Sequence, residues 1–436
     1  MNRRAPTLAP TLALATAIAL LISGCAPGSR APAEPSNAPA SSAAASPACV
    51  SDPAAVVKAK LPDAANGPLP VAIVSTVDAA VTATMPQSAT PGAVVAIRSP
   101  QGTWIKAYGV ADPATGAAMT DDVYQRVGSV TKTFTGTLVL QLAQQGKLSL
   151  DDTISQYLSG IPNGSTVTIR QLLDMTSGLA SYTLDSAWQK TFFAQPEKVW
   201  TPDELVTVAK SLKPLFKPGA EYNYSNTNTV LLGKLIEKVT GSSYADVLQS
   251  RILDPLTLRD TSFPGESAEF PSPHAQGSTM QSPDATATHP VITTDWNPSW
   301  GWTAGEMIST AENMLRYDRA LGTGQGLLSA HEQEQRLSSF PSPRDTYSYG
   351  LAMGCVGGWV GHTGELPGYN STVYYQTDSD TAVVILTNSD IASGDCTESA
   401  TLADNPKGIP CNIPAGRLLT AIGAALGHPF STPPQH

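Results

Sequence analysis

β-Strand patterning in this chain is confined to its two ends, and the long middle reads as helix and loop. Gly92 to Arg98 and Thr103 to Val110 make an apolar hairpin around Ser99-Pro100-Gln101-Gly102. Tyr347 to Met353, Trp359 to His362, Ser371 to Gln376 and Thr381 to Thr387 supply further strands far downstream. An isolated hairpin is marginal in water, so the early strands need the late ones as partners. The expectation is an α/β (α+β sandwich) fold: one antiparallel sheet built from N- and C-terminal segments, flanked by helices and carrying an inserted, mostly helical subdomain. Helices are expected from Val71 to Met85, Ser129 to Gln145, Thr168 to Met175, Pro202 to Leu212, Ser225 to Val239, Tyr244 to Leu253, Ala304 to Leu321 and Ala415 to Leu426. Residues 263–298, rich in Pro, Ser and Thr, read as a long loop.

Ahead of this region lies an address. Arg3 and Arg4 precede an apolar run of 11 residues, Leu12 to Ile22, which is the layout of a secretory signal and short for a bilayer span. The run ends in Ile22-Ser23-Gly24-Cys25, which resembles a bacterial lipoprotein box. Cys25 is therefore the expected lipid attachment site and residues 1–24 the leader, a plain cleavable signal being the alternative. Two or more acyl chains on Cys25 would hold the protein at the outer face of the cytoplasmic membrane. From Ala26 to Ala48, twenty of 23 residues are Ala, Pro, Ser or Gly, a composition that buries no core. The expected organisation is thus a tether over 25–70, a folded domain over 71–428 and a short tail over 429–436.

With Cys25 assigned to lipid, Cys49, Cys355, Cys396 and Cys411 remain, an even number suited to an oxidising compartment. Cys396 and Cys411 are close enough to close a local loop, which leaves Cys49 with Cys355, one of three possible connectivities. None of the four has metal-ligand spacing and no HExxH occurs, so neither metal nor cofactor is expected. Lys and Arg total 26 against 36 Asp and Glu, for a net charge of -10, which disfavours nucleic acid as a partner.

Candidate chemistry begins at Gly128-Ser129-Val130-Thr131-Lys132. A Ser and a Lys three apart at a helix start share a face, so the amine can take the hydroxyl proton and make Ser129 a nucleophile. In the first turn the Ser129 N–H has no helical partner and is free to serve as an oxyanion donor. Alone the signal is weak, since about one S-x-x-K is expected by chance and Ser129 would equally serve as an N-cap. Two further triplets strengthen it. Tyr224-Ser225-Asn226 is the only Y-x-N, where a Pro/Gly loop gives way to a helix, and His362-Thr363-Gly364 is the only H-T-G, at a strand end.

In this order and at these separations, 95 residues from Ser129 to Tyr224 and 138 from there to His362, the triplets resemble the penicillin-recognising serine enzymes. The resemblance is nearest to the D-alanyl-D-alanine carboxypeptidase and class C beta-lactamase branch. It extends through Gln125-Arg126-Val127, Ile169-Arg170-Gln171-Leu172-Leu173 and Ser177-Gly178-Leu179, and covers roughly Val71 to His428. It implies an acyl-enzyme on Ser129, with Lys132 and Tyr224 handling the proton and His362 standing where relatives carry Lys or His. Asn226 and Thr363 would bind substrate, Gly364 would keep the strand approachable, and the Glu365 N–H would be the second oxyanion donor. Trp300 resembles an aromatic that lines the pocket in relatives; a core or lid tryptophan is the alternative.

One residue departs from the pattern. Carboxypeptidase relatives usually carry a hydroxyl residue after the third triplet, where this chain has Glu365. A carboxylate about 4 Å from another repels it by roughly 4 kcal/mol at an effective dielectric of 20. The leaving-group side is therefore expected to accept a neutral or cationic group, as in an ester, an amide or an amine-bearing amino acid. The leading expectation is an envelope lipoprotein serine hydrolase acting on peptides, amides or esters, most like a D,D-peptidase or D-amino acid amidase. A carboxylesterase or class C-like beta-lactamase is the alternative on the same fold, and a non-catalytic envelope-binding lipoprotein the alternative of another class. G-x-S-x-G is absent, so an α/β-hydrolase elbow is not offered.

Overall fold

The computed structural model describes residues 47–58 and 67–432, and in it the sheet forms from both ends of the chain. Its strands are β1 (Gly92–Ser99), β2 (Gly102–Asp112), β3 (Ala117–Ala118), β4 (Ser348–Tyr349), β5 (Gly354–Val356), β6 (Trp359–Leu366), β7 (Tyr369–Gln376) and β8 (Thr381–Thr387). They lie antiparallel in the order β3-β2-β1-β8-β7-β6-β5-β4. Early and late segments meet where β1 pairs with β8, Val95 opposite Ile385. Every residue of β8 is buried, because helices cover both faces of the sheet and leave no reason for polar alternation.

The helices that position the site are α1 (Val71–Thr84), α2 (Thr131–Gln144), α3 (Asn226–Thr240), α4 (Ala311–Thr323) and α5 (Pro414–Ala425). On one face Val95, Tyr374, Val383 and Ile385 pack on Val77 and Val81 of α1 and on Leu418, Leu419 and Ile422 of α5. On the other, Val94, Val373, Val384 and Leu386 join the larger core that contains α2, α3 and α4. Helix α2 runs through that core, buried from Thr131 to Leu142. Its threonines are tolerated there because each hydroxyl is bonded: Thr137 donates to the Thr133 carbonyl at 2.7 Å and Thr135 pairs with the Tyr244 hydroxyl at 2.8 Å.

Several boundaries differ from the sequence expectation. The helix expected from Ala304 begins at Ala311, capped by Thr310, because Ile308–Ser309 is held extended against Gln125–Arg126. The strand expected from Tyr347 to Met353 is limited to β4, Ser348–Tyr349; a turn in which Ala352 has φ 55° follows, and β5 begins at Gly354. Strand β6 continues past His362 to Leu366. Helix Ser186–Ala194, started by an Asp185 cap, was not anticipated, nor was Ala330–Leu337, whose polar sequence hides the buried Gln333, Arg336 and Leu337.

The packed chain also extends beyond 71–428. Cys49 and Val50 are buried and Pro53–Lys58 is helical, within the stretch read as tether, and Phe430 packs on Trp359 and Tyr374 within the stretch read as tail. Cys49 is joined to Cys355 and Cys396 to Cys411. The leader, Cys25 and tether residues 26–46 and 59–66 lie outside the described residues.

Asn388 ties the sheet to the long loop. Its Oδ1 accepts from Gly92 N at 2.8 Å, and its Nδ2 lies 3.2 Å from the carbonyls of Val110 and Ala111 and 3.1 Å from that of Gln276. Replacing it leaves buried backbone groups unpaired, so Asn388→Ala is expected to cost about 2–4 kcal/mol, read as a lower urea midpoint. An unchanged midpoint would show that water restores those bonds.

Candidate active site

Ser129 sits in a tight turn, Gly128–Val130, that runs directly into α2 and crosses β6. The crossing is close enough that only glycine fits on either side. A Cβ on Gly128, whose φ is +55°, would begin 2.5 Å from Glu365 N, and one on Gly364 would begin 1.9 Å from the Val127 carbonyl oxygen. Ser371 fixes the same carbonyl by donating to it at 2.9 Å. The Ser129 turn and the Glu365 backbone are thereby brought together at the cleft, which both residues line.

Lys132 Nζ lies 2.9 Å from Ser129 Oγ, 2.7 Å from Asn226 Oδ1 and 2.7 Å from the Ala304 carbonyl oxygen. The side chain is fully buried, and desolvation depresses its pKa well below the ordinary lysine value. Three acceptors from separate segments thus converge on Nζ, and one of them is the Ser129 hydroxyl. Asn226 Nδ2 donates to Thr183 Oγ1 at 3.2 Å, which orients the amide with its oxygen toward the lysine. Tyr224 is hydrogen-bonded to Ser129, and burial raises its pKa well above 10.0, so it is a neutral phenol. Its ring centre is 4.9 Å from Lys132 Nζ. The first two triplets thus converge on one hydroxyl.

His362, from the third triplet, lines the same cleft. Its ring is buried, with Nδ1–H donating to the Thr363 carbonyl and Nε2 accepting from the Tyr349 hydroxyl at 2.9 Å. Both nitrogens are therefore engaged within the protein. Burial, with the adjacent Lys132 side chain, pushes its pKa down to about 3, so it brings no charge to the cleft.

The cleft has a volume of about 650 Å³ and is lined by Ser129, Asn226, His362, Thr363 and Glu365 together with residues the sequence did not mark. Trp300 does line it, packed on Trp188 and Phe192 with ring centres 5.8 and 5.2 Å away. Trp188, Phe192 and Phe193, at i, i+4 and i+5 on Ser186–Ala194, form an aromatic wall, and that spacing was the signal available. Gln281, from the long loop, lines the cleft opposite them in chain position and donates both to Glu365 Oε1 at 3.0 Å and to Asp390 Oδ2 at 2.6 Å. Glu365 is exposed and opens onto the cleft, held on one side by Gln281. The neighbouring Asp390 carboxyl raises its proton affinity, and burial raises that of Asp390. No Lys or Arg is among the described residues that line the cleft.

Residues 77–404 match the beta-lactamase family, and the chain belongs to that family. It is a serine hydrolase of the beta-lactamase and penicillin-binding group. Penicillin-binding protein 4 of Amycolatopsis lactamdurans is 28% identical over 326 residues, 70% of this chain and 82% of that protein. A D-aminopeptidase of Brucella ovis is 27% identical over 68% of this chain, which spans only 56% of its length. Among solved structures, a D-stereospecific amidohydrolase from Streptomyces sp. is 35% identical with a TM-score of 0.65, over 73% of this chain and 94% of that one. The D-amino acid amidase of Ochrobactrum anthropi SV3 is 25% identical with a TM-score of 0.66, over 82% and 98%.

Two predictions follow from the geometry. Gly128→Ala should lower kcat by about a hundredfold, the cost of misplacing an oxyanion donor, with the circular dichroism spectrum unchanged; undiminished kcat would mean the turn accommodates a methyl. The second concerns pH. Unfolded His362 binds a proton near pH 6.5, whereas the folded side chain resists it down to about 3. Its neutral burial therefore costs no stability above pH 6.5, and stability is lost progressively as pH falls through that window. The urea midpoint of His362→Asn should fall less between pH 6.5 and 3 than that of the wild type, and parallel curves would contradict the buried neutral imidazole.

Proposed function

We propose that the protein is an exported, lipid-anchored amidase that cleaves amides of D-amino acids through an acyl-enzyme on Ser129. Lys132 takes the Ser129 proton as the hydroxyl attacks the carbonyl carbon. The amides of Ser129 and Glu365 stabilise the oxyanion, and the proton passes through Lys132 or Tyr224 to the departing amine. Water then releases the acid by the reverse route. Thr363, half-buried at the cleft wall, offers its hydroxyl to the substrate.

The charge of the cleft is the observation that carries this reading over carboxypeptidase action. A substrate ending in a free carboxylate would find no Lys or Arg among the described lining residues, a neutral His362 and an acidic Glu365. A primary amide loses ammonia and brings no such carboxylate. The aromatic wall of Trp188, Phe192 and Trp300 suits a large apolar side chain on the acyl part. Preference for the D configuration is supported by the names of the similar proteins: D-aminopeptidase, D-amino acid amidase and D-stereospecific amidohydrolase. The leader and Cys25 support a site of action at the outer face of the cytoplasmic membrane.

The test is ammonia release from D-phenylalaninamide, L-phenylalaninamide and D-alaninamide beside release of D-alanine from a D-alanyl-D-alanine peptide. The D-aromatic amide should be turned over with a kcat/KM higher than that for the peptide by about a hundredfold or more, in line with the carboxylate repulsion, and Ser129→Ala should abolish both. Faster cleavage of the peptide would return the protein to carboxypeptidase action, and hydrolysis confined to esters would make it a carboxylesterase.

A further inference from the structure

Glu365 is the one acidic side chain among the described residues lining the cleft, and its position there is built rather than incidental. Three distant segments fix it. Strand β6 carries its backbone, the long loop supplies Gln281 to hold Oε1, and the segment after β8 places Asp390 behind the same amide. Thr279 Oγ1 also donates to Asp390 Oδ2, at 2.8 Å, so the amide and the second carboxyl are themselves anchored. The Glu365 side chain starts one bond from the residue's own oxyanion N–H. Its carboxyl is therefore within reach of groups attached directly to the scissile carbonyl. Those groups are the α-amine on the acyl side and the departing amine on the other.

We propose that Glu365, held by Gln281 and backed by Asp390, is a recognition subsite for a substrate ammonium group next to the scissile carbonyl. This deepens the amidase reading and rests on it for the identity of the reacting bond. An ammonium is the complementary partner for a carboxylate in a cleft whose described lining residues include no Lys or Arg.

The experiment compares kcat/KM within two matched pairs, using the purified protein. The first pair is D-phenylalaninamide and N-acetyl-D-phenylalaninamide, which differ in the α-ammonium. The second is the 2-aminoethylamide and the propylamide of N-acetyl-D-phenylalanine, which differ in a cation on the leaving side. The charged member of one pair should be preferred by about tenfold or more, the size of a charge-assisted hydrogen bond. Glu365→Gln should bring that ratio close to one. Preference in the first pair assigns the subsite to the α-ammonium, and preference in the second to the leaving amine. Gln281→Leu, which removes the amide holding Glu365, should shrink the same ratio and serves where Glu365→Gln does not fold. Ratios near one in the wild type, or ratios that both variants leave intact, overturn the proposal. If no amide is cleaved, the amidase reading fails separately, and methyl esters of D-phenylalanine with free or acetylated amine still read the first ratio.

Discussion

The fold is organised around a lysine that has been taken out of water. Burying an ammonium without a counter-charge is so costly that the group gives up its proton instead. Among the described residues, what surrounds Lys132 Nζ is neutral and acceptor-rich: a hydroxyl, an amide oxygen and a backbone carbonyl. Each comes from a different part of the chain. Ser129 is on the turn entering α2, Asn226 is the first residue of α3, and Ala304 ends the short 3-10 turn Trp302–Ala304 ahead of α4. Here the chain turns sharply at Trp302, with φ 36°, and the carbonyl is delivered to the lysine.

The same desolvation that depresses the Lys132 pKa acts on the third triplet. His362 is buried, and its ring is fixed in one tautomer by hydrogen bonds to Tyr349 and to the Thr363 carbonyl. It therefore shapes the cleft wall without charging it. The three triplets are thus gathered at one cleft, among whose described lining residues there is no Lys or Arg. Ser129 is hydrogen-bonded to Lys132 and Tyr224, whereas His362, Glu365 and Gln281 form part of the wall around it.

This division accounts for what could be read from the residues alone. The sheet was legible because strand patterning appears only at the two ends, and so was α2, whose apolar residues recur at helical spacing. The three triplets were legible because each depends on local backbone geometry: a turn entering a helix, a loop-to-helix junction and a strand end. Gly128 and Gly364 carry the same kind of local signal, since a crossing of two backbones admits no side chain. His362 was placed correctly, but its neutrality was not legible, because that follows from Tyr349 thirteen residues away and from burial.

The substrate-facing parts were harder for a physical reason. Gln281 sits in a Pro-, Ser- and Thr-rich stretch with no periodicity. It reaches Glu365 only because Asn388 and Thr279 anchor that stretch to the end of the sheet. Trp188, Phe192 and Phe193 do have helical spacing, but on a helix of nine residues whose start depends on a single Asp185 cap. Such contacts arise from tertiary packing and leave little trace in a local window. The catalytic centre is encoded in short segments that each fold one way, whereas the walls that choose a substrate are assembled across long separations. Those walls can therefore change in charge and shape while Ser129, Lys132 and Tyr224 stay in register.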